Sequence, residues 1–442
     1  MSTLLQENRK TLVLALPLIA GQVSQMLLGL TDTLMIGRVG TVDLAAAAFA
    51  NALLYLPLAI GIGLAIAVSI QVAHSHGRES AAEAGETLRN GFFMSCALGI
   101  ILTGLIFLSV PFLGKMGQPS EVIAVVPAYL YWLGLSFLAV VPTMVIKGFA
   151  EAQSQPWTVL WIQLGGVGLN VVLNAILIFG YLGFPAMGLT GAGIATCLAR
   201  FATLGVLWYY LIGSRRLAAA LPPVWFQRLD RVECRKLILL GTPVGGQLLI
   251  EMGAFGLGAL LIGQFGAVPL AAHQIAITCA ATTFMLPLGV AMAVTIRVGH
   301  AMSAGQVERA GTLLWGAQLI GMCIMLICAT GYVFFGRSIA ASFTTDTEVI
   351  ALTVSILVIV AIFQLFDGIQ VISGAALRGM RDVNFPTVIL FVCFWILAIP
   401  MGASLGFVGG LGVIGVWSGL AFGLGMAAVA LSLRVWLKLR HV

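Results

Sequence analysis

Charge is scarce in this chain. Lys and Arg number 22 and Asp and Glu 16, together 9% of 442 residues, against the roughly 25% that a water-covered surface requires. A soluble globular protein is excluded, and the exterior must face lipid. Metal-ligand and nucleophile patterns are missing too. The seven cysteines, Cys96, Cys197, Cys234, Cys279, Cys323, Cys328 and Cys393, form no CxxC or Cys/His spacing, and neither HExxH nor GxSxG occurs. Such cysteines serve as small core residues, so neither a disulfide framework nor a metal cluster is expected. A membrane-embedded enzyme lacks the constellation it would need, and no cofactor is expected. The net charge of +6 invites a nucleic-acid partner, but the basic residues lie in short loops between apolar runs, which is the pattern of membrane topology instead.

What is abundant is apolar sequence, 60% of the chain. Runs cover about 11–36, 44–73, 91–113, 123–146, 157–181, 188–213, 237–264, 270–299, 311–335, 349–376, 385–407 and 412–436. A helix needs about 20 such residues to cross ~30 Å of hydrocarbon, so the expected fold is an all-α polytopic membrane protein with twelve transmembrane helices. The first run is too long for a signal-peptide core and keeps Asp32 near its end, so it reads as a retained span. Eighteen Lys and Arg, counted as loop residues, fall on the side of the N-terminus, among them Arg9, Lys10, Arg89, the cluster Arg215, Arg216, Arg228, Arg231, Arg235 and Lys236, then Arg297, Arg378 and Arg440. Three, Arg38, Lys115 and Arg337, fall on the other side, and Arg200 is left inside a span. Both termini are therefore expected in the cytoplasm.

The chain also repeats itself. A shift of 226 residues aligns, without a gap, Pro17 with Pro243, Gly37 with Gly263, Leu44-Ala45-Ala46 with Leu270-Ala271-Ala272, and His74 with His300. Shared apolar composition does not place prolines and histidines in one frame, so this is an internal duplication. The expected organisation is an N-terminal six-helix lobe (1–213), a cytoplasmic linker (214–236) holding Pro222 and Pro223, and a C-terminal six-helix lobe (237–442). A pseudo-two-fold axis along the membrane normal would relate the two bundles, a known transporter plan. Nothing demands more than a monomer. Glycines four apart, Gly402, Gly406 and Gly410 on one run and Gly415, Gly419 and Gly423 on the next, offer small faces for close helix packing. Prolines at 17 and 243 recur in both lobes, as static kinks or as bends serving alternating access.

The acids are where the copies part. Asp32 aligns with Gly258, and Glu251 with Gln25. A helix over 237–263 is about 40 Å long at ~1.5 Å per residue, which sets Glu251 deep in the membrane. Intramembrane carboxylates usually face a protein interior or a watery cavity and handle ions or substrates; an acid paired only to hold helices together is the alternative. Asp32 has a hydroxyl on either side, Thr31 and Thr33, which suits a hydrogen-bonded carboxylate. Asn170 and Asn174 share one helix face and could ligate a small cation or simply bond between helices. Asp367 lies well inside its run, and Gln274, Gln364 and Gln370 add neutral polar groups. Phe255, Phe284, Phe363 and Phe366 could line an apolar wall for flat substrates or serve as ordinary packing. His273 and His300 read as hydrogen-bonded near helix ends.

The chain resembles, over essentially its whole length, the multidrug and toxic compound extrusion (MATE) transporters of the NorM-like branch. The resemblance rests on Pro17 with Asp32-Thr33, Ala271-Ala272-His273-Gln274, Ile296-Arg297-Val298-Gly299-His300, and Asp367 with Gln370 and Leu377-Arg378-Gly379. Glu251 separates this branch from DinF-like relatives. The resemblance implies a bacterial inner membrane and export of amphipathic organic cations against inward Na+ or H+. It makes Asp32, with Asn170, Asn174 and Thr196, the N-lobe site, and Glu251 with Asp367 the C-lobe site; Na+ could sit at either. Some relatives carry tyrosine where this chain has Phe363, which weakens any cation site that needs that hydroxyl. A carboxylate withdrawn from water gains by holding a proton or metal ion. If the drug and the coupling ion need the same negative charge, they exchange. A lipid-linked oligosaccharide flippase of the wider superfamily is the rival reading; it would want a cavity rich in Arg and Lys, and only Arg200 is mid-span. A passive channel fits paired lobes, each with its own acids, less well.

Overall fold

The computed structural model describes residues 2–440, with side chains from Leu4 onward. Regular structure among the described residues is helical throughout, and twelve stretches, from Leu4–Gly37 to Gly412–Arg440, are long and apolar enough to cross a membrane. The protein is an all-α, multi-pass membrane protein. Its α-helices in chain order are α1 (Ser2–Gly37), α2 (Thr41–Gly77), α3 (Ala81–Ser109), α4 (Ser120–Leu135), α5 (Phe137–Ala152), α6 (Pro156–Phe179) and α7 (Gly188–Gly213). After the linker come α8 (Arg231–Gly263), α9 (Ala267–Ser303), α10 (Val307–Phe343), α11 (Thr347–Gly379), α12 (Asn384–Phe391), α13 (Ile399–Ala403) and α14 (Gly412–Arg440).

Fourteen helices make twelve spans because two spans are interrupted. The span Ser120–Ala152 breaks at Ser136, where the turn is tied from within and from outside: Ser136 Oγ donates to the Leu133 carbonyl at 2.6 Å, and Thr103 Oγ1 donates to the Gly134 carbonyl at 2.8 Å. The span Asn384–Val408 carries two π-helical segments, Val392–Ala398 and Ser404–Val408, on either side of α13. Elsewhere the ends follow local chemistry. Asp346 caps α11 by accepting from the Glu348 and Val349 amides at 2.9 and 3.2 Å, which satisfies donors that a helix N-terminus leaves open. The helices also outrun the apolar sequence, so Arg89, Arg297 and Arg378, counted above with the loops, lie on helices, and Arg89 and Arg297 are buried.

Packing divides the chain into two units: the residues through Gln22 together with Gly246 onward, and Val23–Gly245. The division by packing differs from the division by repeat, because the first parts of α1 and α8 each belong with the other half of the sequence. In the first unit, α9, α10, α11 and α14 close around Val290, Ile356, Ile372, Trp417 and Leu431. The foot of α1 joins them: a Cβ at Gly289 of α9 would meet the Ile19 backbone nitrogen at 2.6 Å. The expected glycine faces do meet here, with a Cβ at Gly402 only 3.0 Å from the Val416 carbonyl and one at Gly415 only 2.5 Å from the Gly406 nitrogen.

In the second unit, Leu113, Leu130, Phe137 and Val141 form the core of one end. The first part of α8 lies against α2, where a Cβ at Gly63 would stand 2.5 Å from the Gly241 carbonyl. The linker is fastened to this unit. Arg89 Nη1 donates to Gln227 Oε1 at 2.9 Å, the Asp230 amide donates to Asn90 Oδ1 at 3.0 Å, and Trp225 packs on Trp208 and Phe92 with ring centroids 4.8 and 5.9 Å apart.

Candidate functional site

Two groups of intramembrane polar residues stand out, one in each unit. In Val23–Gly245, α1 brings Asp32 to α6. Asn174 Nδ2 donates to Asp32 Oδ1 at 2.6 Å and to Asn170 Oδ1 at 3.0 Å, and Asn170 Nδ2 donates to Thr196 Oγ1 of α7 at 3.3 Å. The four residues expected to assemble from sequence therefore form one connected chain. Asn170, Asn174 and Thr196 are buried, whereas Asp32 is half-buried and is the least enclosed of the four. Asn174 Oδ1 is buried and accepts no hydrogen bond among the described residues. An unsatisfied buried acceptor costs roughly 1–3 kcal/mol, which a cation or a donor beside Asp32 would relieve.

The two hydroxyls flanking Asp32 do not take part. Thr31 Oγ1 and Thr33 Oγ1 each donate at 2.8 Å to carbonyls one turn back, Leu27 and Gly29. Threonine in a helix readily makes this bond to its own backbone, which is why adjacency in sequence misled. Across the unit on α7, Arg200 Nη1 donates to Ser136 Oγ at 2.6 Å, and its charge is within electrostatic reach of Asp32.

In the unit containing Gly246 onward, α8 presents Glu251 and α11 presents Asp367, both half-buried and near enough for their charges to repel. Gln370 Nε2 donates to Glu251 Oε1 at 2.8 Å. Among the described residues Asp367 has no hydrogen-bond partner. The Arg378 guanidinium lies within electrostatic reach of Glu251 and donates to Gln247 Oε1 at 3.3 Å, but it makes no ion pair with either acid. Two like charges, with one neutral donor bonded to Glu251, favour occupation by a cation. Sequence reasoning placed Arg378 in a loop and missed this proximity; its position three residues before Arg381 gave no signal that α11 runs on to Gly379.

The aromatic residues divide. Phe363 is only 2% exposed, wedged edge-on between Phe255 and Trp417 at 6.0 and 5.9 Å. Phe255, Phe284 and Phe366 are partly buried, and Gln274 is exposed. His273 is not hydrogen-bonded near a helix end as expected: it is 2% exposed beside Trp417, with Nδ1 unpartnered. Among the described residues no three His, Cys, Asp or Glu side chains cluster as metal ligands do.

Known proteins match this architecture. Multidrug resistance proteins described as probable NorM are 34% identical over 98% of this chain and 94% of the relative in Mesorhizobium japonicum, and 33% identical over 97% and 91% in Xylella fastidiosa. In fold, a mutant of the Vibrio cholerae MATE transporter VcmN superposes with a TM-score of 0.93 at 20% identity, covering 100% of this chain and 99% of that one. The eukaryotic MATE transporter AtDTX14 gives 0.88 at 20% identity, covering 98% and 96%. The MatE family profile matches twice, over residues 17–176 and 243–403, and its two matches start at the prolines that the internal repeat aligns. This chain belongs to the MatE family.

Proposed function

We propose that the protein is a secondary active multidrug efflux antiporter. It exports amphipathic organic cations in exchange for inward Na+ or H+ by alternating access. The observation that carries this reading is the state of the acids: Asp32 in one unit and Glu251 with Asp367 in the other are half-buried carboxylates within spans, and among the described residues none of them forms an ion pair with a basic side chain. Charge in that position is costly unless an ion is handled there. The probable NorM relatives are named for multidrug resistance, which favours drug export over the flippase alternative.

In the N-lobe site, Asp32 is held by Asn174 from one side only, leaving its other oxygen and Asn174 Oδ1 as acceptors for a cation. In the C-lobe site, a cation or proton relieves the repulsion between Glu251 and Asp367. Binding of the coupling ion removes the negative charge that a cationic drug requires, so drug leaves as ion enters. Phe255, Phe284 and Phe366, with Gln274, supply the apolar wall with a polar edge. The repeats, 1–213 and 237–442, act as the two lobes joined by 214–236. The protein sits as a monomer in the bacterial inner membrane, with both termini in the cytoplasm.

The test is ethidium efflux from proteoliposomes under a Na+ gradient alone and a pH gradient alone, for the wild type and for Glu251→Gln with Asp367→Asn. The wild type should respond to one gradient and the double variant should lose that response. Efflux that ignores both gradients refutes antiport; efflux unchanged in the double variant removes the C-lobe site from the mechanism.

A further inference from the structure

The internal repeat allows one comparison away from the acids. In the 226-residue register, Leu88, Arg89 and Phe92 of α3 correspond to Leu314, Trp315 and Gln318 of α10. In the first copy this face holds the linker: Arg89 Nη1 donates to Gln227 Oε1, and Phe92 lies against both Trp208 of α7 and Trp225, with ring centroids 4.7 and 5.9 Å away. Trp225 thereby covers the groove between α3 and α7. In the second copy the same face lines a cavity of about 230 Å³, completed by Ser373 of α11 and by Ser432 and Trp436 of α14. That is below the ~300 Å³ at which sites for drug-sized molecules begin, and it suits a headgroup with the first part of its chains.

The floor of this groove is polar. Gln318 Nε2 donates to Ser373 Oγ at 2.8 Å and to the Ile369 carbonyl at 3.3 Å, and Ser373 Oγ lies 3.0 Å from Ser432 Oγ, so one polar thread joins α10, α11 and α14. Gln318 Oε1, however, is buried and accepts no hydrogen bond among the described residues. Acyl chains offer no donor to relieve it. Trp315 and Trp436 are exposed at the mouth, and tryptophan in a span favours the headgroup level. The Arg440 guanidinium rests over the Trp436 ring, 3.6 Å from its centroid. Neighbouring Leu319, Val429 and Leu433 are exposed as well, so the opening faces lipid. The lining contains no Asp, Glu, Lys or Arg. A simple cation would find no counter-charge there, whereas a zwitterion brings its own.

We propose that the groove of α10, α11 and α14 binds phosphatidylethanolamine. Its ammonium donates to Gln318 Oε1 and lies against the faces of Trp315 and Trp436, which attract cations; its phosphate meets Arg440, and its chains run over Leu319 and Leu433. The lipid closes the second repeat as the linker closes the first. This inference is independent of the efflux reading.

Native mass spectrometry of the purified full chain measures the affinity for phosphatidylethanolamine, phosphatidylcholine and phosphatidylglycerol with the same acyl chains. Phosphatidylcholine keeps the phosphate but has no N–H, and phosphatidylglycerol replaces the ammonium by hydroxyls. The wild type should hold one phosphatidylethanolamine about tenfold or more tighter than either, the factor that a hydrogen bond to a charged group supplies. Gln318→Leu should bring it down to the level of phosphatidylcholine. Gln318→Phe, which installs the side chain found at the equivalent position of α3, should do the same without lowering the melting temperature of the lipid-free protein. Trp161→Ala, which removes an exposed tryptophan of α6, should change neither. The proposal is overturned if the wild type holds the three lipids equally, if it prefers phosphatidylglycerol, or if Trp161→Ala loses as much as Gln318→Leu. The comparison of lipids on the wild type decides the matter even if both Gln318 variants fail to fold.

Discussion

Gln370→Leu tests the C-lobe site through a single contact. Gln370 is 5% exposed and its Nε2 gives Glu251 its one side-chain hydrogen bond among the described residues, at 2.8 Å. A hydrogen bond to a charged group is worth about 1.5–3 kcal/mol and one to a neutral group about 0.5–1.5 kcal/mol. The contact therefore stabilises the empty, anionic Glu251 over the occupied one by on the order of 1.4 kcal/mol, a factor of about ten. Leucine removes that preference while keeping most of the volume, so the site should hold its coupling cation about tenfold tighter by the same difference. In proteoliposome efflux the half-activating Na+ concentration should drop about tenfold, or the half-activating pH should rise by about one unit, whichever ion drives transport. Gln364→Leu is the control: Gln364 is on the same helix and equally buried, but bonds Thr283 Oγ1 and the Met325 carbonyl and no acid. An unmoved midpoint in Gln370→Leu, a shift toward weaker ion binding, or an equal shift in Gln364→Leu would refute the reasoning.

Two further outcomes concern stability. Glu7 forms an ion pair with buried Arg297, and Arg309 joins at 3.3 Å; breaking a buried pair from one side costs about 3–5 kcal/mol, so Arg297→Met should lower the melting temperature of the purified protein clearly, and adding Glu7→Leu should restore much of the loss. At Gly415 a side chain would strike the Gly406 backbone, whereas at Gly104 nothing lies within 4 Å. Gly415→Leu should therefore cut the yield of folded protein in detergent chromatography while Gly104→Leu leaves it intact.

The twelve spans were legible because a lipid-facing helix must be apolar around much of its circumference, and that leaves long unbroken runs. The shared face of Asn170 and Asn174 was legible because they stand one turn apart in a run with few other polar groups, whereas their grouping with Asp32 and Thr196 was implied only by the family resemblance. Three features were not. Thr31 and Thr33 sit beside Asp32 in sequence but point their hydroxyls back along α1, a choice that backbone carbonyls one turn away decide. Arg297 and Arg378 read as loop residues because a basic residue at the end of an apolar run looks the same whether the helix stops or continues. Helix ends depend on partners distant in sequence; Arg297 is held inside its span by Glu7, 290 residues away. The break at Ser136 was invisible for the same reason, since the Thr103 hydroxyl that bonds the Gly134 carbonyl comes from another helix.

The crossing of α1 and α8 between packing units links the prolines to the acids. Pro17 and Pro243 each remove one helix hydrogen bond and push aside the preceding turn, and they recur at the same place in the repeat. The packing boundary falls just after both, at Gln22 in α1 and at Gly245 in α8. Each helix is thus weakened close to the point where it leaves one unit for the other. Below the boundary, α1 is pinned by Glu7 to Arg297, and α8 by Glu233, which accepts from Thr87 Oγ1 of α3 at 2.8 Å and pairs along its own helix with Lys236 at 3.1 Å. Glu7 and Glu233 are themselves equivalent in the repeat, as are Lys10 and Lys236. Above the boundary, α1 carries Asp32 and α8 carries Glu251. Both repeats therefore use one design: an anchored foot, a proline-weakened segment, and an intramembrane carboxylate beyond it. If Asp32 and Glu251 take up the coupling ion as proposed, residues 17–22 and 243–246, where the proline leaves a backbone hydrogen bond unmade, are the segments expected to bend.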